Sequence, residues 1–598
     1  MNDIKAGDIS AQLFSDITAL ATQDDSSEDP ATQEVAPEAT TADEAPFVRL
    51  IPLGGLGEVG MNCMAYQLGA DGAILVVDCG ITFPDAHTPG IDQIIPDITF
   101  LKENREKVVG IVFTHGHEDH IGATPYLWPE LRVPVYGTAM TLGILRNKLI
   151  EHGLASQVPQ FTIQGRDRVQ IGPFLVEPMA VTHSIIDGVS LAIHTPAGVI
   201  IHTGDFKFDN TPVDGRRSDY ARLAAYGEEG VLALLSDSTN VERTGASPSE
   251  GDITASFLDI FAKAKGMLVV ATFSSNIHRV QQVIDAAVAT GRKVCLNGRS
   301  MIANTEVARE LGYLKVPMDT LIDEKEIEYL PRNKVVVLST GSQGEPRASL
   351  RRIALGEHKR VVVGEGDTVV LSSRAIPGNE KAISNLINHL LRRGCEVIHD
   401  RVSEVHVSGH GSQEDLKMML ALTRPKLFVP VHGEIRHLVR HRKLAQRMGV
   451  LPGNTAIVEN GQVLRIYPDR LERDGTVPVG RAFIDGKGVG DVGEEVLRER
   501  RILSEDGMLV VLVVIDAQKR EIVLGPELFP KGLTDAEDGE GKVLEACKRK
   551  VLETFQGLSS EHLADLELVR EEIRVAGRRF FRKEFDRRPI VLPLVFEV

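Results

Sequence analysis

Four residues within six positions, His115, His117, Asp119 and His120, form the pattern H-x-H-x-D-H directly behind the apolar run "GIVF". Imidazoles and carboxylates without a thiolate are the donor set of zinc, or of the harder manganese ion. Two histidines at i,i+2 in an extended loop aim at one ion. Asp119 and His120 fall where "EDHIGATPYL" starts a helix, and turn toward a second position. Gly116 lets the loop turn tightly. Three more residues each follow an apolar strand: His183 in "AVTHS", Asp205 in "IIHTGDF" 22 residues on, and His432 in "VPVHGE". With the cluster, they supply enough ligands for two ions.

A second pattern points elsewhere. "GGLGEVG" holds G-x-G-x-x-G at Gly55, Gly57 and Gly60, and Asp78 closes the strand "AILVVD" about twenty residues on. A dinucleotide fingerprint requires a helix directly after the glycines. Only "MNCMAYQL" stands there before "GADG", too short for a crossover helix. It reads as a strand in a β-hairpin, with the glycines letting the backbone pass close beneath a site.

The elements that must position these residues divide the chain. Residues 1–46 hold eleven acidic residues against Lys5, about −10 of the total −17. They have too few large apolar residues to offset the entropy of ordering, which predicts a disordered tail. From Phe47, short β-branched runs alternate with Gly, Asp and Pro, the texture of a sheet-rich domain. From Ile253, helix-length segments alternate with strands such as "MLVVATFSS" and "KVVVLSTGSQGE", a parallel α/β unit. "CEVIHD", "VHVSGHG" and "KLFVPVHGE" return to strands ending in histidines. The polar stretch 465–485 reads as a linker, and "MLVVLVVI" (508–515) as a buried strand, far short of a membrane span. The N-terminus has neither a basic region nor a continuous apolar region, which predicts no secretory signal. The five cysteines are scattered, without C-x-x-C, which predicts a reducing cytoplasm.

"THGHEDHIGA", "THS", "HTGDF", "SDSTN", "VSGHG" and "PVHGE", in this order, resemble the metallo-β-lactamase-fold nucleases with a β-CASP insertion. "GGLGEVGMN", "TFSSNIHRVQQ", "STGSQGE" and "GVGDVGEEVLRERRILSEDG" bring the resemblance closer to the bacterial ribonuclease J family, over residues 47–598. It implies an α/β fold: a metallo-β-lactamase αββα sandwich with an inserted β-CASP α/β domain and a small C-terminal α/β domain. The segments expected are 47–247 and 386–464 for the sandwich, 248–385 for the insertion, 465–485 for the linker and 486–598 for an oligomerisation domain.

The resemblance further implies two divalent ions per subunit, zinc with manganese or magnesium as substitutes. His115, His117 and His183 would hold one; Asp119, His120 and His432 the other; Asp205 would bridge them. Asp78 would support the histidine loop by hydrogen bonds. Asp237 in "SDSTN" and His410 in "VSGHG" map onto β-CASP motifs, with His410 near the scissile phosphate. A hydroxide between the ions would attack phosphorus in line. The turn Ser408, Gly409, His410 and Gly411 is expected to hold RNA phosphate on backbone N–H groups. Asn276, His278 or Arg279 in "SSNIHR" would line an RNA channel or merely cap a helix. The implied activity is a metal-dependent ribonuclease of RNA processing and decay, a 5′-to-3′ exonuclease and also an endonuclease. Its partner would be single-stranded RNA with a 5′ monophosphate. A homodimer or homotetramer, other RNA-decay proteins and no membrane complete the expectation. The competing classes are a DNA nuclease, a small-molecule ester or thioester hydrolase and a catalytically degenerate scaffold. The insertion after Asp237 and the full ligand set weigh against the last two.

Overall fold

The computed structural model describes residues 45–598 apart from Ala86, Pro377, Lys487 and residues 534–539. The acidic segment expected to be disordered lies, up to residue 44, outside the described residues.

Two sheets pack face to face. The first runs in the order Leu471–Thr476, Gln462–Ile466, Val48–Gly54, Cys63–Leu68, Ile74–Val77, Val108–Val112, Val135–Gly137, Gln160–Thr162. The second runs Leu427–Val431, Val231–Asp237, Gly198–His202, Val189–Thr195, Phe174–Ala180, Val169–Ile171. Val48, Leu50, Tyr66 and Leu75 of the first meet Leu191, Ile193, Leu235 and Val429 of the second in one core. Helices cover both outer faces. Ile51, Leu53 and Phe113 pack outward with Leu127 and Leu145, and Leu234 and Phe428 pack outward with Tyr226, Leu416 and Leu444. Both faces of each sheet are therefore buried, which is why these strands read as continuous apolar runs instead of alternating ones. This is the αββα sandwich. "NCMAYQL" is a strand, Cys63–Leu68, antiparallel to its neighbours, so no crossover helix follows the glycine turn.

The chain leaves the sandwich after Asp237 and builds a separate six-stranded sheet. Its order is Leu321–Ile322, Lys293–Asn297, Val335–Ser339, Leu268–Ala271, Thr368–Leu371, Glu396–His399, parallel throughout. The boundary expected at 385/386 falls inside the helix Glu380–Arg392, and the strand Glu396–His399 completes this sheet. The chain crosses back only after His399, because parallel pairing with Thr368–Leu371 needs that helix as its crossover. The stretch 400–411, read as strand-like through "VHVSGHG", forms no strand.

The linker expectation is corrected in the same way. Within 465–485, Leu471–Thr476 extends the first sheet, and Arg481–Asp485 pairs antiparallel with Gln93–Pro96. Phe483 buries against Met61, Ile91 and Leu497. Polar side chains there face solvent while the backbone completes a sheet.

The C-terminal part is a three-stranded sheet, Ile522–Lys531, Met508–Ile515, Ile590–Glu597. Leu509, Val511, Val513 and Ile515 are buried against the helices Glu540–Gln556 and Leu566–Phe585. The intervening residues of "MLVVLVVI" are only half-buried, so this strand covers one face and not two. Among the described residues, no helix is long and apolar enough to cross a membrane.

Candidate active site and metal centre

Every expected ligand follows the C-terminal end of a strand at one edge of the sandwich. Val108–Val112 delivers His115 and His117 and a short helix, Glu118–Ile121, turns Asp119 and His120 inward. Phe174–Ala180 leads to His183, Gly198–His202 to Asp205, and Leu427–Val431 to His432. The structure brings all seven together. His115, His117, His183 and Asp205 form one group and Asp119, His120, Asp205 and His432 another, each with ligand atoms within 4.8 Å of one another. Asp205 Oδ2 lies 3.7 Å from His115 Nε2, 3.7 Å from His183 Nε2, 3.3 Å from His120 Nε2 and 3.6 Å from His432 Nε2.

Hydrogen bonds on the far side of the His115, His120, His183 and His432 rings assign their tautomers. Asp78 Oδ2 accepts from Thr114 Oγ1 and from His120 Nδ1, both at 2.8 Å, and Oδ1 accepts from Thr114 N at 2.8 Å. Thr114 Oγ1, having donated to Asp78, accepts from His115 Nδ1 at 3.0 Å. His183 Nδ1 donates to the Gly409 carbonyl at 2.7 Å, and His432 Nδ1 donates to Asn62 Oδ1 at 2.8 Å. With Nδ1–H anchored outward, Nε2 of these rings turns toward Asp205, the arrangement metal-binding histidines use.

This donor set fits divalent ions. His117 Nδ1 is 3.1 Å from His115 Nε2 and 3.2 Å from His183 Nε2. One proton on Nδ1 satisfies one of these approaches and leaves the other lone pair unmatched. Nitrogens about 3.3 Å apart are what tetrahedral zinc with its usual Zn–N bonds requires. Asp205 Oδ1 and His432 Nε2 are buried without a hydrogen-bond partner, which a purely structural cluster would not leave.

Charge agrees. Burial, then the neighbouring imidazoles, holds His115 and His183 well below the ordinary histidine value, and burial pushes His117 down to about 4, so all three imidazoles are neutral, the form that can bind a metal ion. Burial opposes protonation of His120, yet Asp205, Asp119 and Asp78 together raise it well above its usual value. That half of the centre draws positive charge.

His410 and Asp237 stand at the margin of the same centre. His410 Nδ1 donates to Asp237 Oδ2 at 2.8 Å and lies 3.9 Å from Asp205 Oδ2. Burial works against its protonation, but Asp237 and Asp205 lift it to about 9. The other oxygen of Asp237 accepts from Thr239 N and Oγ1, so the carboxylate is held from both sides. The His410 side chain is 26% exposed, close to Asp119 at 28% and unlike the buried His115, His120, His183, Asp205 and His432. A cavity of about 440 Å³ adjoins His183, walled by Asp214, Arg216 and Arg217 of the sandwich and by His278 and Tyr313 of the insertion.

The backbone at this edge is tightly shaped. Asp78 (φ 62°) and His432 (φ 51°) hold left-handed conformations, each costing on the order of 1 kcal/mol or more. A side chain at Gly80 would place its Cβ 1.7 Å from the Asp119 carbonyl.

Three expectations are corrected. The N–H of His410 already donates to Ser408 Oγ at 3.3 Å and that of Gly411 to the Phe206 carbonyl at 2.6 Å. Ser408 Oγ also accepts from Asn240 Nδ2 at 3.0 Å, and Gly409 serves His183 through its carbonyl. The turn's N–H groups at His410 and Gly411 are therefore used inside the protein and not held for phosphate. Asn276 is 2% exposed and caps the helix Ile277–Ala289 by accepting from Arg279 N, so the cap is its role. Arg279 is 0% exposed and lines no channel.

Asn62 is the residue that sequence reasoning missed. Its Oδ1 holds His432 while Nδ2 donates to the Asp119 carbonyl at 3.1 Å and stands 3.1 Å from His120 Nε2. Gly55 (φ 88°) makes room: a Cβ there would meet Asn62 Oδ1 at 2.4 Å. The signal was the glycine turn itself, whose "GGLGEVGMN" ends on this asparagine. Glu118, by contrast, faces Lys148 at 2.6 Å.

An αββα sandwich with buried imidazoles and carboxylates at one strand edge and an inserted α/β domain beside it defines a divalent-metal hydrolase of the metallo-β-lactamase superfamily. Family descriptions match in series: the metallo-beta-lactamase superfamily over residues 56–243, the ribonuclease J beta-CASP domain over 265–390, the Zn-dependent metallo-hydrolase RNA specificity domain over 396–457 and the ribonuclease J C-terminal domain over 495–598. Ribonuclease J of Thermus thermophilus is 43% identical over 557 residues, 92% of this chain and 95% of that protein. Ribonuclease J of Sinorhizobium meliloti is 41% identical over 92% of this chain and 97% of its own, and ribonuclease J2 of Bacillus subtilis 39% over 92% and 99%. The chain belongs to the ribonuclease J family of metal-dependent ribonucleases.

Proposed function

We propose that this chain hydrolyses RNA phosphodiester bonds from the 5′ end and also internally, using two zinc ions. The observation that carries this reading is the convergence on Asp205 of imidazole nitrogens whose other ring atoms are anchored outward. His115, His117 and His183 would hold one ion, Asp119, His120 and His432 the second, and Asp205 would contribute to both. Bound divalent ions supply charge neutralisation at the phosphoryl oxygens and a water acidified into the neutral range. Asp78 and Asn62 orient the ligand rings. Asp237 accepts a hydrogen bond from His410 Nδ1–H, which leaves Nε2 to hydrogen-bond a non-bridging oxygen or assist the leaving group. The cavity beside His183 offers room for nucleotides next to the scissile bond.

The substrate is single-stranded RNA carrying a 5′ monophosphate, met in the cytoplasm alongside other RNA-decay proteins. The subunits form homodimers or homotetramers through the C-terminal sheet. Support for this comes from its open face, where Val510, Leu512 and Val514 align with Leu592, Leu594 and Phe596, the last three 47%, 38% and 54% exposed. A contiguous apolar face of this kind marks an interaction surface.

The test is purified protein with 5′-labelled monophosphorylated RNA, matched DNA and a thioester, with and without chelator. Cleavage of RNA alone, abolished by chelator, is the expected result. Equal activity on DNA, or none on RNA, overturns the proposal.

A further inference from the structure

The two chain crossings between the sandwich and the inserted domain meet on one buried guanidinium. Arg279 lies in the first turn of the helix Ile277–Ala289, inside the insertion. Its Nη2 donates to Glu250 Oε2 at 2.7 Å, on the outgoing crossing. Its Nη1 donates to the Val405 carbonyl at 2.6 Å, on the return crossing, and to Ser372 Oγ at the end of an inserted strand. Nε donates to Gln282 Oε1 at 2.9 Å, and Gln282 Nε2 donates back to the Glu250 carbonyl at 2.7 Å. Ser372 Oγ donates to the same Val405 carbonyl at 2.7 Å.

Both crossings continue directly into the metal centre. From Glu250 the network passes to Lys207, whose ammonium lies 3.7 Å from Glu250 Oε1 and 3.4 Å from Asp209 Oδ2. Glu250 N donates to Asp209 Oδ2 at 2.8 Å. Lys207 is two residues beyond Asp205, and its N–H donates to the Thr182 carbonyl, next to His183. From Val405 the return crossing runs five residues to His410. The fork geometry of arginine holds acceptors in different directions at once, which lysine's point charge does not do.

We infer that Arg279 is a positioning residue for the reaction. It sets the return crossing against the sandwich, and thereby places His410 over Asp205 and Asp237. This rests on the ribonuclease reading above, with His410 acting on the substrate. Arg279 touches neither ligand rings nor His410, so its effect passes through the crossings alone.

The experiment is a double-substitution cycle on full-length, metal-loaded protein with monophosphorylated RNA. Arg279→Lys is expected to lower kcat by about 10²-fold, the scale of a small misplacement of a reacting group, while KM and metal content stay near wild type. In a His410→Ala background the same substitution is expected to cost less than about threefold, because coupled residues are not additive. Full multiplicative losses in the double variant, or loss of metal from Arg279→Lys, overturn the inference. If Arg279→Lys does not fold, Ser372→Ala serves instead. It removes one bond to Val405, leaves Arg279 paired with Glu250, and is expected to show the same dependence on His410. Additive behaviour there overturns the inference equally. Wild-type protein that fails to cleave RNA would instead sink the ribonuclease reading, so the two failures are distinguishable.

Discussion

His183 Nδ1 donates to the Gly409 carbonyl at 2.7 Å, across 226 residues of sequence. The bond joins a metal-facing imidazole of the sandwich to the segment returning from the inserted domain. It orients the ring and anchors the neighbour of His410 in one contact. The His183 ring and the segment that carries His410 are thus parts of one hydrogen-bonded unit.

Removing the acceptor beneath the histidine loop is expected to weaken metal binding. Asp78→Ala takes away the partner of His120 Nδ1 and of Thr114. Metal affinity is expected to fall by about 10- to 100-fold, the range for outer partners of ligating histidines. Competition against a chelator measures it. Unchanged affinity would show that Asp78 serves packing alone.

The second proposed ligand group is expected to be dispensable for folding but not for cleavage. Asp119→Ala combined with His120→Ala is expected to abolish RNA cleavage and lower bound metal toward one ion per chain, with unaltered circular dichroism. Retained activity removes the assignment.

His410 and the metal ligands separate by readout. His410→Ala is expected to reduce turnover by roughly 10²- to 10⁴-fold, as for a positioned proton donor or acceptor, at unchanged metal content. Asp237→Asn should show a smaller loss of the same kind. Metal lost together with activity would make His410 a ligand.

Acid stability reports the buried crossing network. Burial opposes ionisation of Glu250, but Arg279 and Lys207 hold its carboxyl down at about 2, against an ordinary 4.5. A folded-state value below the unfolded one stabilises the protein above about pH 4.5 and loses that contribution as pH falls toward 2. The full effect is roughly 3 kcal/mol at 1.36 kcal/mol per unit. Urea midpoints across pH 3 to 6 should fall with acid in the wild type. In Glu250→Gln the baseline is lower and the slope shallower. Equal slopes would contradict the network's role.

The open C-terminal face is testable by charge. Leu594→Arg with Phe596→Asp is expected to yield monomers by light scattering, with secondary structure intact. An unchanged assembly state would place the interface elsewhere.

The features legible in the chain are local ones. H-x-H-x-D-H behind a strand fixes which side chains share a loop, because i,i+2 residues of an extended segment and the first turn of a helix have set directions. The parallel rhythm of strands and helices after Ile253 was legible for the same reason, and "NCMAYQL" was too short for a crossover helix. Tertiary structure decided what depends on distant chain segments meeting. Asn62 reaches His432 across 370 residues only because two sheets pack with their strand ends level. Arg279, polar in sequence and set beside a cap, is interior because two crossings close around it. The return point after His399, and the strands within the stretch that read as a linker, follow from hydrogen-bond pairing with remote partners, which no local pattern encodes.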